Sequence, residues 1–169
     1  MRDDVRIVEA AEDDVRRFVS DQYHRRHLLV HLGERRGILL FAFRGAVFLG
    51  HLFLRLAPAE EQELRSGLPG VPLLQHLRVM DEHQRAGVGR RLIGAAERRL
   101  RAMGHRRVAL GVHPANDDAI RLYRRLSFTE WREQTLMTFR EDVGDDGRVV
   151  REEEPFLVFV KRLDRPPPG

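Results

Sequence analysis

The sequence predicts an α/β fold, and three observations carry that expectation. Short apolar runs rich in Val, Ile, Leu and Phe alternate along the chain with segments of helical period. A glycine turn, Gln84-Arg85-Ala86-Gly87-Val88-Gly89, stands between one such run and the helix that follows it. The length of 169 residues suits one domain with a sizeable core.

The elements follow in order. Val5 to Glu9 alternate apolar and polar residues and read as a first strand. Ala11 to Ser20 place Val15, Phe18 and Val19 at helical spacing, with Glu12, Asp13 and Asp14 where acids complement the helix dipole. Tyr23 to Leu32 continue as a second helix carrying His24, His27 and His31, and Gly33 reads as its stop signal. Gly37 to Phe43 and Ala46 to Leu56, separated by Arg44-Gly45, predict a hairpin. Pro58 to Pro72 read as a loop with at most one helical turn. Leu73 to Met80 form the next strand, and Leu92, Ala96, Leu100 and Met103 line one face of a helix that Gly104 ends.

Arg107 to Val112 predict another strand, broken by Pro114. Asn116 sits at an N-cap position with Asp117 and Asp118 behind it, opening a helix through Ile120, Tyr123 and Leu126. Thr135 to Phe139 and Phe156 to Val160 suit two last strands, joined by a polar loop that includes Glu152, Glu153 and Glu154. The expected organisation is one domain over residues 1–163 and a proline-rich, disordered tail over 164–169.

Composition removes several function classes. No apolar run exceeds the six residues Ile38 to Phe43, whereas a membrane helix needs about 20. Two aspartates near the amino terminus stand where a secretory signal carries basic residues, so a cytoplasmic protein without membrane partners is expected. There is no cysteine, which removes disulfides, thiolate metal sites and a catalytic thiol. All but one of the 30 basic residues are arginine, which lifts the isoelectric point to about 10.4 although the net charge is only +4. Basic and acidic residues interleave along the chain instead of segregating, which argues against nucleic acid as a partner. None of the three serines sits in a Gly-x-Ser-x-Gly elbow, so serine hydrolase chemistry is not expected.

The glycine turn is the most informative segment. A strand that runs into Gly-x-Gly and opens a helix aims backbone N–H groups at one point beside the positive end of the helix dipole, which makes a phosphate or pyrophosphate site. Arg85, Arg90 and Arg91 flank it. A dinucleotide fingerprint requires a further glycine where Leu92 stands, and a P-loop requires a lysine, but the only lysine is Lys161.

Taken together, the strand Leu73 to Met80, the stretch Gln84 to Gly89 and the segment NDDAIRLYRRLSF, with Asn116 seven residues before Tyr123, resemble the GCN5-related N-acetyltransferase (GNAT) family. The close match spans about residues 73 to 130. The resemblance implies a mixed, twisted central sheet of about seven strands flanked by about four helices, with the fourth and fifth strands splayed to admit pantetheine. It implies acetyl-CoA as acyl donor and a primary amine as acceptor, of a small molecule or at a peptide N-terminus. A non-catalytic acyl-CoA-binding module is the alternative from another class.

Carried over by residue, the resemblance pairs the backbone of Leu77, Arg78 and Val79 with pantetheine and assigns one of these N–H groups to the thioester carbonyl. It gives the pyrophosphate to Arg85, Ala86, Gly87, Val88, Gly89 and Arg90. Asn116 contacts the cofactor, and Tyr123 contacts it too as general acid for the departing thiolate. Two departures stand out: Ser127 replaces the glycine that usually ends this helix, and Gly111 occupies the position of the glutamate base of some members. The base is therefore sought at His76, at His113 or in a water chain through either.

His27 and His31 have the spacing of a metal chelate, but no neighbouring carboxylate completes a site and no metal is expected. Tyr23, His24 and His27 either contact substrate, as the family implies, or form a solvated face. Glu60, Glu61 and Glu63, with Glu152 to Glu154, either form an acidic lip for a cationic amine or are solvated loops. A homodimer is expected on frequency alone.

Overall fold

In the computed structural model, the described residues are 4–84, 86–132, 135–144 and 146–163. They contain eight strands and five α-helices in the expected alternation. The chain divides into two compact units, residues 1–108 with 162–169, and residues 109–161.

The first unit is built on four consecutive antiparallel strands, β1 (Val5–Ala10), β2 (Gly37–Arg44), β3 (Val47–Arg55) and β4 (Leu73–Val79). β2 and β3 close through Gly45, whose φ of 59° supplies the left-handed residue of the turn. α1 (Glu12–Phe18) and α2 (Gln22–Gly33) follow β1. They bury Val15, Val19 and Leu28 with Leu39, Phe41, Phe43 and Phe53 of the sheet. Residues of the other parity, Leu40, Ala42, Leu52 and Leu54, are buried as well. Such continuous burial belongs to strands covered on both faces. α3 (Gln62–Gly67) is the helical turn expected between Pro58 and Pro72, and a single 3₁₀ turn at Asp81–His83 follows β4. α4 (Val88–Ala102) packs on β1 to β4 and buries Leu92, Ile93, Ala96 and Leu100.

β5 (Arg107–Val112) crosses into the second unit, which continues with α5 (Asp117–Arg125), β6 (Thr129–Glu130), β7 (Leu136–Val143) and β8 (Val149–Arg162). β8 is the long element here: its last residues pair with β6 and its first half pairs with β7, both antiparallel.

Three expectations are corrected. Gly33 does not stop α2; it is the last helical residue, and Arg35 takes the left-handed conformation instead, with φ of 54°. The polar loop expected between the last two strands is mostly strand: β7 runs to Val143 and β8 starts at Val149, so Glu152 to Glu154 lie within β8. The reason is pairing between opposite charges: Arg140 faces Glu152 and Glu141 faces Arg151 across the ladder. β6 was not expected, because two residues carry no periodicity. The proline-rich tail, 164–169, lies outside the described residues.

Candidate functional site

The turn after β4 has the form that anion binding needs. Gly87 is the N-cap of α4 and holds φ at 80°, a conformation that costs L side chains about 1–2 kcal/mol. It offers no side-chain cap, and the first turn of α4 contains no acid. The N–H groups of that turn are therefore open to an external acceptor at the positive end of a 15-residue helix. Val88 anchors the turn in the core, and Ala86 and Arg90 are exposed beside it. Gly89 is half-buried within the first turn. Arg85 lies outside the described residues.

β4 itself is irregular at the point that matters. His51 pairs with Arg78 and Phe53 with Gln75, so His76 and Leu77 together oppose the single residue Leu52. This is a β-bulge, and His76 absorbs it with φ of 54°. Beyond the bulge the N–H of Met80 bonds to the Leu49 carbonyl at 2.8 Å. Alternation then turns the N–H of Val79 away from β3. β3 lies close here because Gly50 has no side chain: a Cβ would stand 2.3 Å from the Arg78 carbonyl oxygen.

Around the bulge the first unit gathers five imidazoles. The ring of His76 has His24 and His31 at 5.3 Å and His27 at 5.8 Å, centroid to centroid, and the His24 ring lies 5.0 Å from that of His51. Tyr23 packs on His27 at 4.4 Å. A freely solvated face for the α2 histidines is therefore corrected: His31 is buried, stacked on Phe53, and His24 and His27 are half-buried. Helical spacing aligned them, while the partners on β3 and β4 come from residues too distant in sequence to be read as one group. Burial, then the surrounding histidines, hold the His76 imidazole down to about 2. Burial first holds His31 and His51 down to about 4. Among the described residues no group of three or more potential ligands is placed to hold a metal ion.

Asp21 ties this region together. Its Oδ1 accepts from the His24 N–H at 3.0 Å and caps α2, while Oδ2 receives the Arg78 guanidinium at 2.5 Å. Those interactions, the backbone N–H foremost, hold its carboxyl below the usual range against the opposing effect of burial. Sequence reading missed both Asp21 and His51. A histidine inside the apolar run Phe48-Leu49-Gly50-His51-Leu52-Phe53 was the available signal, since a buried polar group needs a partner.

In the second unit Asn116 caps α5, its Oδ1 accepting from the Ala119 N–H at 3.2 Å. Tyr123 is buried against Phe128, and burial pushes its phenol up to about 12. His113 is exposed, and its Nδ1 accepts from the Ala115 N–H at 3.0 Å, which places the proton of the neutral ring on Nε2. A side chain at Gly111 requires the Phe156 ring to shift: a Cβ there would meet Phe156 Cδ2 at 2.9 Å. Ser127 does adopt the left-handed conformation that its position demands, with φ of 72°.

In the acidic segments Glu60 lies 3.7 Å from Arg55 and 3.8 Å from Arg36, Glu63 is exposed, and Glu152, Glu153 and Glu154 stand opposite Arg140, Phe139 and Thr138 of β7. Among the described residues no helix is long and apolar enough to cross a membrane.

Residues 6–128 match the model of the Acetyltransferase (GNAT) family. No curated protein gives a sequence match. Solved structures with the same fold include Arabidopsis thaliana NAA60 in complex with acetyl-CoA, at TM-score 0.69 and 19% identity over 96% of this chain and 100% of that one. The ribosomal-protein-S18-alanine N-acetyltransferase from Escherichia coli aligns at TM-score 0.66 and 19% identity, covering 96% of each chain. The protein yncA from Salmonella typhimurium, solved with its cofactor acetyl-CoA, aligns at 0.65 and 18% over 97% of this chain and 96% of that one.

Proposed function

The chain belongs to the acetyltransferase (GNAT) family, and from that premise we propose that it moves an acetyl, or another small acyl, group from acetyl-CoA to a primary amine by direct attack in a ternary complex. The observation that carries the donor assignment is the left-handed Gly87 opening an uncapped, acid-free α4, the first α-helix after β4. The absence of cysteine favours direct attack over a thiol-bound acyl-enzyme.

The residues present fit the donor. Ala86, Gly87, Val88, Gly89 and Arg90, with Arg85, are assigned to the pyrophosphate. Gly87 lets the backbone approach it, and Arg90 adds a charge-assisted contact. Bound acetyl-CoA supplies an activated thioester. Leu77, Arg78 and Val79 line the strand assigned to pantetheine, where one of their N–H groups donates to the thioester oxygen. Asn116 contacts the donor while it caps α5.

Tyr123 is assigned to the departing sulfur. A phenol near 12 stays protonated across the working range, and full transfer to a thiolate of ordinary pKa about 8.5 runs uphill. Its hydroxyl therefore stabilises the leaving group by donating a hydrogen bond as the C–S bond breaks. For the amine proton, His76 can relay but not retain charge, because its imidazolium is strongly disfavoured. Its Nδ1 contact with His24 Nδ1 at 3.1 Å offers the relay a second ring. His113 serves the same role only if its Nδ1 gives up Ala115.

A small-molecule amine is the preferred acceptor, since the segment Pro58 to Pro72 can narrow the acceptor mouth. A peptide N-terminus is the second reading, suggested by the likeness to the alanine N-acetyltransferase. The test is a thermal melt with acetyl-CoA, coenzyme A, NAD and ATP in parallel, followed by thiol release with a panel of amines and peptides. Ligand at about 100 times its Kd stabilises by roughly 2.7 kcal/mol. Stabilisation by the coenzyme A ligands alone supports the donor assignment; its absence, or a larger response to NAD or ATP, overturns it.

A further inference from the structure

His51 bonds to backbone at the bulge. It is fully buried on β3, and its Nδ1 lies 2.7 Å from the His76 carbonyl oxygen. A carbonyl can only accept, so His51 Nδ1 must carry the proton and donate. Its Nε2 is then a bare lone pair, buried and without a hydrogen-bond partner among the described residues. A buried acceptor left unpaired costs about 1–3 kcal/mol. The fold retains that cost in order to place one donor against one carbonyl.

That carbonyl belongs to the residue with the strained backbone. A histidine at φ of 54° is held outside its preferred conformation, and such strain persists only where the surroundings over-determine it. The ladder does not supply the constraint, because the bulge takes His76 and Leu77 out of regular register with Leu52. The constraint comes from side chains: His51 on the carbonyl and His24 on the ring, 3.1 Å away. The carbonyl of His76 and the N–H of Leu77 are the two ends of one planar peptide, so fixing the first fixes the direction of the second.

We propose that His51 is a positioning residue for acyl transfer: its Nδ1–H grips the His76 carbonyl and thereby aims the Leu77 N–H at the thioester oxygen. This rests on the acetyl-CoA reading above and adds to it a device assembled from β3. His51 touches no substrate; it acts through one peptide plane. Loss of the grip lets that peptide rotate, and a misplacement of about 1 Å can cost on the order of 100-fold in rate.

The experiment reads the carbonyl itself. Isotope-labelled [1-13C]acetyl-CoA bound to the wild-type protein is expected to show its carbonyl resonance displaced downfield from free acetyl-CoA, the signature of a hydrogen bond to the thioester oxygen. His51→Leu is expected to lose most of that displacement while coenzyme A still raises the melting temperature. His51→Asn, whose amide nitrogen reaches the position of Nδ1, is expected to restore it, and His51→Gln, whose amide lies one bond further out, is not. If His51→Leu fails to fold, the Asn and Gln variants decide between themselves. Independently, 15N spectra of histidine-labelled wild-type protein must show His51 protonated at Nδ1 and bare at Nε2. The opposite tautomer, or a full displacement retained in His51→Leu or His51→Gln, overturns the proposal. Failure of coenzyme A to bind wild-type protein overturns the donor reading instead.

Discussion

The Nδ1 atoms of His24 and His76 stand 3.1 Å apart, so one ring presents a proton there and the other a bare lone pair. A proton added to the accepting Nδ1 would set two donors against each other. The same intolerance of charge runs through the cluster: His31 and His51 are held down to about 4 and His76 to about 2, in each case chiefly by burial.

Acid lability follows from these directions. In the unfolded chain the three rings titrate near 6.5, whereas the folded chain keeps them neutral. Unfolded protein thus binds more protons as pH falls, and stability that is complete above about 6.5 is lost toward 4, at up to roughly 1.4 kcal/mol per pH unit for each ring. Melting temperatures between pH 7.5 and 4.5 should decline with a proton dependence approaching three per molecule. His51→Asn should lower that dependence by about one. A flat profile across the window would sink the idea.

Tyr123→Phe tests the leaving-group role. With an amine identified by the panel, kcat should fall about 100-fold, while the thermal response to coenzyme A stays close to wild type. Because burial raises the phenol to about 12, the wild-type rate should show no basic limb from this group below about pH 10, and a limb near 9 that disappears in Tyr123→Phe would contradict the assignment.

Much of the first unit was legible because its signals are local. Burial of Leu92, Ala96 and Leu100 along α4 was visible as a helical stripe, and the Arg44-Gly45 pair marked the β2–β3 turn. Gly87 and Asn116 announced two helix starts by residue type alone. The bulge at His76 was not legible, since it depends on register between β3 and β4. Nor was His51, whose partner is a backbone carbonyl 25 positions away. The extended β7–β8 arm escaped notice because cross-strand charge pairs, such as Arg151 with Glu141 at 3.7 Å, replace the apolar alternation that marks a strand.

Gly111 cannot accept the glutamate that some relatives carry unless Phe156 yields. Its missing Cβ would lie 2.9 Å from Phe156 Cδ2, and the ring is itself buried. Gly111→Ala should therefore cost roughly 1–3 kcal/mol by overpacking. In a Phe156→Leu background the cost should shrink markedly, giving a coupling that a double-mutant cycle measures by chemical denaturation. Equal costs in both backgrounds would remove Phe156 as the cause.

Two non-glycine residues with the same backbone sign give opposite expectations for the same substitution. Ser127 holds φ of 72° just after α5, and its side chain makes no described hydrogen bond that the conformation serves. A left-handed L residue costs about 1–2 kcal/mol, while glycine adds about 0.5–1 kcal/mol of unfolded-state entropy. Ser127→Gly should therefore stabilise by roughly 0.5–1 kcal/mol and raise the melting temperature by about 1–4 °C. His76 holds φ of 54°, yet its ring contacts His24 and packs among the His27 and His31 imidazoles and the Tyr23 ring. His76→Gly relieves the same backbone strain but empties the centre of that cluster, so its melting temperature should fall. A rise in both variants would mean that the bulge is merely tolerated; a rise in Ser127→Gly alone means that side chains hold it.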